Sequence, residues 1–139
     1  MQTFKKSERL NNKIAIDNLF AKAQSILVSP FRLLWIEHKN KKDDLAQTLI
    51  SVPKRNIKLA SNRNVLKRRI NEAFRLNKTR LCTALEERNK HIHIAVIYQK
   101  EEIKSYKLIE EKINLLLNKK EFTSNIINLN QNEFDNTII

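Results

Sequence analysis

The chain has 139 residues, enough for one domain, and 41% of them are hydrophobic, enough for a single core. Its 27 Lys and Arg against 15 Asp and Glu leave a net charge of +12, so the natural partner is a polyanion: RNA, DNA or an anionic membrane. One cysteine, Cys82, excludes an intrachain disulfide, the absence of glycine excludes Walker-type and dinucleotide-type phosphate loops, and no apolar run reaches the length of a bilayer span.

The first residues, through Phe4 to Arg9, lead into no apolar signal core, so a cytoplasmic protein is expected. Ile14, Ile16, Leu19, Phe20 and Ala23 then carry a helical pattern, which Asn11 or Asn12 is placed to cap. Ser25 to Val28 reads as a short strand, and Pro30 breaks it. Phe31 to Glu37 reads as extended, with Phe31, Leu33 and Trp35 on one face and Arg32, Leu34 and Ile36 on the other. The polar run His38 to Asp44 reads as a hairpin loop. Thr48 to Val52 is then the returning strand, which Pro53 ends or holds at an edge.

A basic segment follows from Lys54 to Arg80, helical in its middle. His91 to Tyr98 is the clearest strand, with Ile92, Ile94, Val96 and Tyr98 alternating. Ser105 starts a last helix, on which Tyr106, Ile109, Ile113, Leu116 and Leu117 keep helical spacing. The expected domain is 1–120. Residues 121–139 form an Asn-rich tail without periodicity, expected to be poorly ordered. Helix, strands, helix, strand, helix implies one mixed sheet with helices packed on it.

The basic segment concentrates the charge. Lys54, Arg55, Lys58, Arg63, Lys67, Arg68, Arg69, Arg75, Lys78 and Arg80 share it with one acid, Glu72. Leu66, Ile70, Ala73 and Phe74 fall on one helical stripe, while Asn64, Arg68, Asn71 and Arg75 project opposite it, flanked by Lys67. Arg63 and Arg69 sit nearer the apolar border, where their stems can pack while their heads reach out. Arg can clamp phosphate through two parallel bonds, and Asn both donates and accepts. A Lys-rich helix is commonly a solvated face. Here the near absence of acids and the Arg content favour nucleic-acid binding. A membrane-surface helix would withdraw from the sheet the apolar stripe that the core needs.

Arg63-Asn64-Val65-Leu66-Lys67-Arg68 followed by Glu72-Ala73-Phe74-Arg75 resembles the signature helix of the bacterial ribonuclease P protein family. Ser51-Val52-Pro53-Lys54-Arg55 resembles the family's strand end, and Lys6, Arg9-Leu10 and Leu19-Phe20 its early positions. The likeness runs from about Phe4 to Lys120. Val65 and Asn71 depart from the pattern, standing where many members have Arg. The loop Asn56 to Ala60 must turn without the family's frequent glycine.

The resemblance implies an α+β fold: a two-layer α/β sandwich with a central four-stranded mixed sheet and a left-handed βαβ crossover, ribosomal protein S5 domain 2-like. Connections of this kind are otherwise almost always right-handed. It also implies two RNA surfaces. Lys54, Arg55, Arg63, Asn64, Lys67, Arg68, Arg69, Asn71 and Arg75 would meet the catalytic RNA. Ile16, Phe20, Arg32 and Leu34 would line a cleft for the single-stranded 5′ leader of precursor tRNA, with base stacking resting mainly on Phe20. Ordinary core packing is the competing reading of Phe20. The implied role is a monomeric accessory subunit of a ribonucleoprotein endonuclease, whose Mg²⁺ is bound mainly by RNA. A structural RNA-binding protein of the ribosomal type is the alternative, and a DNA-binding helix-turn-helix protein fits less well because strands flank the basic helix.

No protein catalytic site emerges from the sequence. His91 and His93 share a strand face, but no cluster completes a zinc site and His38 falls in the polar loop. Cys82 lacks a nucleophile motif. Glu86, Glu87, Glu101, Glu102, Glu110 and Glu111 lie among lysines and read as solvated faces rather than general acid–base pairs.

Overall fold

The structure, a computed structural model, describes residues 8–39, 44–119 and 122–123. Helix α1 (Lys13–Lys22) starts where Asn12 Oδ1 accepts a hydrogen bond from the Ala15 N–H at 3.1 Å, satisfying one of the donors left open by the first turn. Strand β1 (Gln24–Val28) turns at Ser29-Pro30 into β2 (Phe31–His38), and the two pair antiparallel from Gln24↔Trp35 to Val28↔Phe31. Strand β3 (Ala46–Ser51) stops just before Pro53, which has no N–H to offer a ladder. Helices α2 (Ala60–Asn77) and α3 (Thr79–Glu87) meet at Lys78, and β4 (His91–Tyr98) and α4 (Tyr106–Leu117) complete the fold. Ser105 caps α4, its Oγ accepting from the Leu108 N–H at 3.3 Å.

The sheet order is β1-β2-β4-β3. Strands β2 and β4 are antiparallel, while β3 and β4 are parallel and joined by the α2–α3 crossover. The hairpin expected across His38 to Asp44 therefore does not form. Strand β4 lies between β2 and β3, and His38 is the last residue of β2, opposite His91, rather than a loop residue. Burial explains the insertion. Ile92, Ile94, Val96 and Tyr98 serve one face, while His91, His93 and Ala95 are buried on the other, so β4 is a central strand that needs cover on both sides. Residues 40–43 of the expected loop lie outside the described residues.

The first sheet face carries the main core, against α2, α3 and α4. The second face is covered in part by α1 and by Leu10, whose N–H donates to the Thr48 carbonyl at 3.0 Å and lays residues 9–10 along the β3 edge. Helix α3 adds to the elements expected from the sequence. Its apolar residues Leu81, Ala84 and Leu85 are few, and they follow directly on the basic run. The chain then turns at Asn89, which takes φ 51°, while Asn89 N–H reaches Glu86 O and Lys90 N–H reaches Leu85 O. Asparagine here fills the left-handed position after a helix that glycine usually takes. The loop before α2 needs no such residue, because Asn56 and Ile57 both close onto Pro53 O at 3.1 Å.

Buried packing is also found beyond residue 120. Phe122 is fully buried and meets Trp35 edge-on at 5.1 Å, so the core extends at least that far. The remainder of the expected tail, residues 124–139, lies outside the described residues.

Candidate nucleic-acid interface

Helix α2 is fixed by the stripe read from the sequence: Leu66, Ile70, Ala73 and Phe74 are all buried at 1% exposure or less. Burying such side chains contributes about 1.5–3 kcal/mol each for the larger ones, so the helix cannot roll without losing its seat. Its outward side is thereby fixed as well. Asn64, Lys67 and Arg68 are exposed along it, Asn71 is half-buried, and Lys54 and Arg55 stand exposed in the turn before it.

The remaining expected cations have partners within the fold. Arg63 donates through Nη1 to the carbonyls of Ile57 and Lys58 at 2.9 and 2.8 Å, fastening the preceding loop to the helix. Arg69 donates to the Lys104 carbonyl at 2.6 Å, tying α2 to the segment before α4. Arg75 holds Glu72 through two bonds, at 2.5 and 3.1 Å. Those hydrogen bonds keep the Glu72 carboxyl below its ordinary pKa and raise that of the Arg75 guanidinium. Among the described residues, no ion pair or hydrogen bond engages the heads of Lys54, Arg55, Lys67 or Arg68. The sequence groups nine residues as one surface. The structure divides them into an open set and a set whose heads position the helix and its loop. Lys58, exposed beside Leu59 at the start of α2, joins the open set, and its place in the same basic run is the signal that points to it.

The residues expected to line the leader cleft lie on the second sheet face and on α1. Leu34 is buried with Leu10, Leu19 and Ala95, and Ile16 packs against that cluster. Phe20 borders it on α1 and is 51% exposed. Arg32 is half-buried, and its Nε has no hydrogen-bond partner among the described residues. Of these four, Phe20 and part of Arg32 lie open, while Ile16 and Leu34 belong to the packed cluster. The register adds Leu27, which pairs with Arg32, shares its face and is 58% exposed. Ser25 to Val28 is legible as a strand, but which of its faces joins this site is set by the pairing register.

A family model described as Ribonuclease P matches residues 4–121. The chain belongs to the ribonuclease P protein family. The ribonuclease P protein component of Porphyromonas gingivalis is 31% identical over 105 residues, covering 76% of this chain and 77% of that protein. Among solved structures, the RNase P protein from Thermotoga maritima aligns with a TM-score of 0.61 at 27% identity, over 79% of this chain and 94% of that one. The Staphylococcus aureus RNase P protein gives 0.64 at 24% identity, over 81% and 94%, which supports the fold alone. The chain is thus a protein subunit of ribonuclease P, a partner of ribonuclease P RNA that serves tRNA processing as part of the holoenzyme.

The other chemistry-bearing residues are placed as follows. His38 stacks on His93 at 3.9 Å between centroids and lies 5.9 Å from His91, whose Nδ1 is 3.3 Å from the Asp44 carbonyl. Among the described residues no group of three or more His, Cys, Asp or Glu is arranged to hold a metal ion. Several carboxylates are taken up by cations: Glu72 by Arg75, Glu102 by Lys104, Glu8 by Lys78 and Glu37 by Lys90. Cys82 is half-buried, and burial pushes its thiol up. No described helix is long and apolar enough to cross a membrane.

Proposed function

We propose that this subunit binds the catalytic RNA through the outer side of α2 and the turn before it, and the 5′ leader of precursor tRNA through the second sheet face. The observation that carries the reading is a set of exposed cations unpaired among the described residues, Lys67 and Arg68 on the outer side of a helix whose other side is buried and Lys54 and Arg55 in the turn before it. Such a rigid row meets phosphates at fixed spacing without first giving up partners of its own. Asn64 lies within it and offers both donors and an acceptor to ribose or base edges. Arg63 and Arg69 act differently, as positioning residues for the loop and the helix.

On the second face, Phe20 offers a flat apolar surface to an unpaired base, and the half-buried Arg32 offers its charge to the leader backbone. The site would grip few nucleotides, because α1 and Leu10 already occupy much of the face. Hydrolysis belongs to the RNA and the Mg²⁺ it binds. The protein contributes binding and orientation as a monomer in a cytoplasmic ribonucleoprotein.

Reconstitution tests this. Protein stripped of RNA should leave precursor tRNA intact. Protein plus the cognate RNA should make one cut at the mature 5′ end, at lower Mg²⁺ than the RNA alone requires. Correct cutting by the RNA-free protein would overturn the assignment of chemistry to the RNA.

A further inference from the structure

The turn before α2 and the loop between β4 and α4 jointly line an open groove of about 680 Å³, a size within the ordinary range of ligand sites, about 300–1,000 Å³. Arg55, Lys58 and Leu59 come from the turn, and Glu101, Glu102 and Ile103 from the loop. Both segments are fastened to the fold. Arg63 holds the carbonyls of Ile57 and Lys58, and Asn56 Nδ2 donates to the Tyr98 carbonyl at 3.1 Å. Across the groove, Tyr98 Oη donates to the Glu102 carbonyl, and Arg69 to that of Lys104. Leu59 is 64% exposed and Ile103 43%, so neither serves the core. Leu59 also stands at the cap position of α2, where it has no side-chain oxygen to offer the helix.

We infer, resting on the proposed binding of ribonuclease P RNA at α2, that this groove takes an unpaired guanine nucleotide of that RNA: the base against Leu59 and Ile103, the phosphate on Arg55 and Lys58, and the Watson–Crick edge on the Glu101 carboxylate. Charge divides the groove. Its cations stand on the segment that leads into α2 and its open row, and its two carboxylates stand on the loop. Lys104 pairs with Glu102 at 3.1 Å, while Glu101 has no ion pair or hydrogen bond among the described residues. A site for phosphate alone gains nothing from that carboxylate, which repels a polyanion. An ionised carboxylate only accepts hydrogen bonds, and guanine is the base whose Watson–Crick edge presents two adjacent donors, N1–H and N2–H. Adenine, cytosine and uracil each turn a lone pair toward it. Leu59 and Ile103 give apolar cover to ring faces that have left the RNA stack.

Probing with kethoxal, which reacts at N1 and N2 of unpaired guanine, tests this on ribonuclease P RNA with and without the full-length protein. The protein should protect at least one guanine of that RNA. Glu101→Gln should restore its reactivity and weaken affinity about fivefold. Leu59→Ser together with Ile103→Ser should also restore it and weaken affinity about tenfold, with the salt slope unchanged. All three side chains are exposed, so Tm should move by no more than about 2 °C. A higher affinity in Glu101→Gln, the result of removing a merely repelling charge, would overturn base recognition, and so would the lack of any guanine whose protection depends on the groove. Groove-dependent protection in precursor tRNA instead would overturn the choice of RNA. Arg68→Ala, run in parallel, separates the two readings. Weaker binding in that variant beside groove variants without effect overturns the groove and keeps the α2 face, and no effect from any of them overturns both.

Discussion

The two faces of the sheet are built to different standards. Among the described residues, the first packs twenty-one buried apolar side chains into one cluster with α2, α3 and α4, and the second only four, Leu10 among them, under a ten-residue helix. Burial of that extent makes the first face the seat of stability, since each buried side chain forfeits transfer free energy and packing if removed. The second face leaves Phe20, Leu27 and part of Arg32 accessible, as a ligand requires. Helix α2 repeats the division within one element: Phe74 is fixed in the core, while Arg68 on the opposite side is exposed. The proposed recognition surfaces lie where packing is incomplete, and the densely packed face holds their side chains in place.

The comparison can be broken most directly at its strongest point. Phe74→Ala removes a ring that is 1% exposed and should cost about 3–5 kcal/mol, a large share of the stability of a domain this size. Urea unfolding checks it, and a loss under about 1 kcal/mol would mean that the first face is not the seat of stability. Phe20→Ala tests the open face. It should weaken holoenzyme binding of precursor tRNA by about 1–3 kcal/mol while sparing mature tRNA and the protein's own unfolding midpoint. Paired titrations with and without the leader read the difference, and equal losses for both substrates would return Phe20 to packing.

Two smaller effects sharpen the division. Arg68→Ala should weaken RNA binding and reduce the slope of log affinity against log salt by about 1, with Tm unchanged. Arg69→Ala should instead lower Tm by releasing the Lys104 carbonyl, with a smaller change in salt slope. Matching profiles for these neighbours would remove the distinction between open and positioning cations. The smallest effect concerns Cys82. Burial raises its thiol pKa, so less thiolate is present at neutral pH than for a free cysteine. Alkylation of the native protein should be slow, rise as pH increases, and accelerate on unfolding in urea. A native rate equal to the unfolded one would show that the thiol is not shielded.

Much of the molecule is legible along the chain because the signals are local. Ser105 caps the last helix as its hydroxyl and position suggest, one of two candidate asparagines caps the first, and the alternation of Ile92 to Tyr98 marks a strand with the observed bounds. The apolar stripe Leu66, Ile70, Ala73 and Phe74 follows from helical periodicity alone, and so does the exposure of Arg68 opposite it. Family motifs around Arg63 to Arg75 lie on this same helix. Helix α3 is obscured because its short apolar pattern follows directly on the basic run.

Tertiary structure decided what depends on partners distant in sequence. Nothing between His38 and Asp44 shows that β4, almost fifty residues later, will separate β2 from β3; that follows from β4 needing cover on both faces. Nor does the spacing of cations tell which have been claimed. Arg69 is six positions from Arg63 and thirty-five from the carbonyl it binds, and only the fold brings Lys104 within 2.6 Å of it. The sequence by itself determined the amphipathic elements, the charge and the class of partner, because these rest on local periodicity and composition. Which strand is central, which arginines remain open and where the Phe122 ring is buried were decided by packing, since a side chain's availability depends on what the rest of the chain places against it.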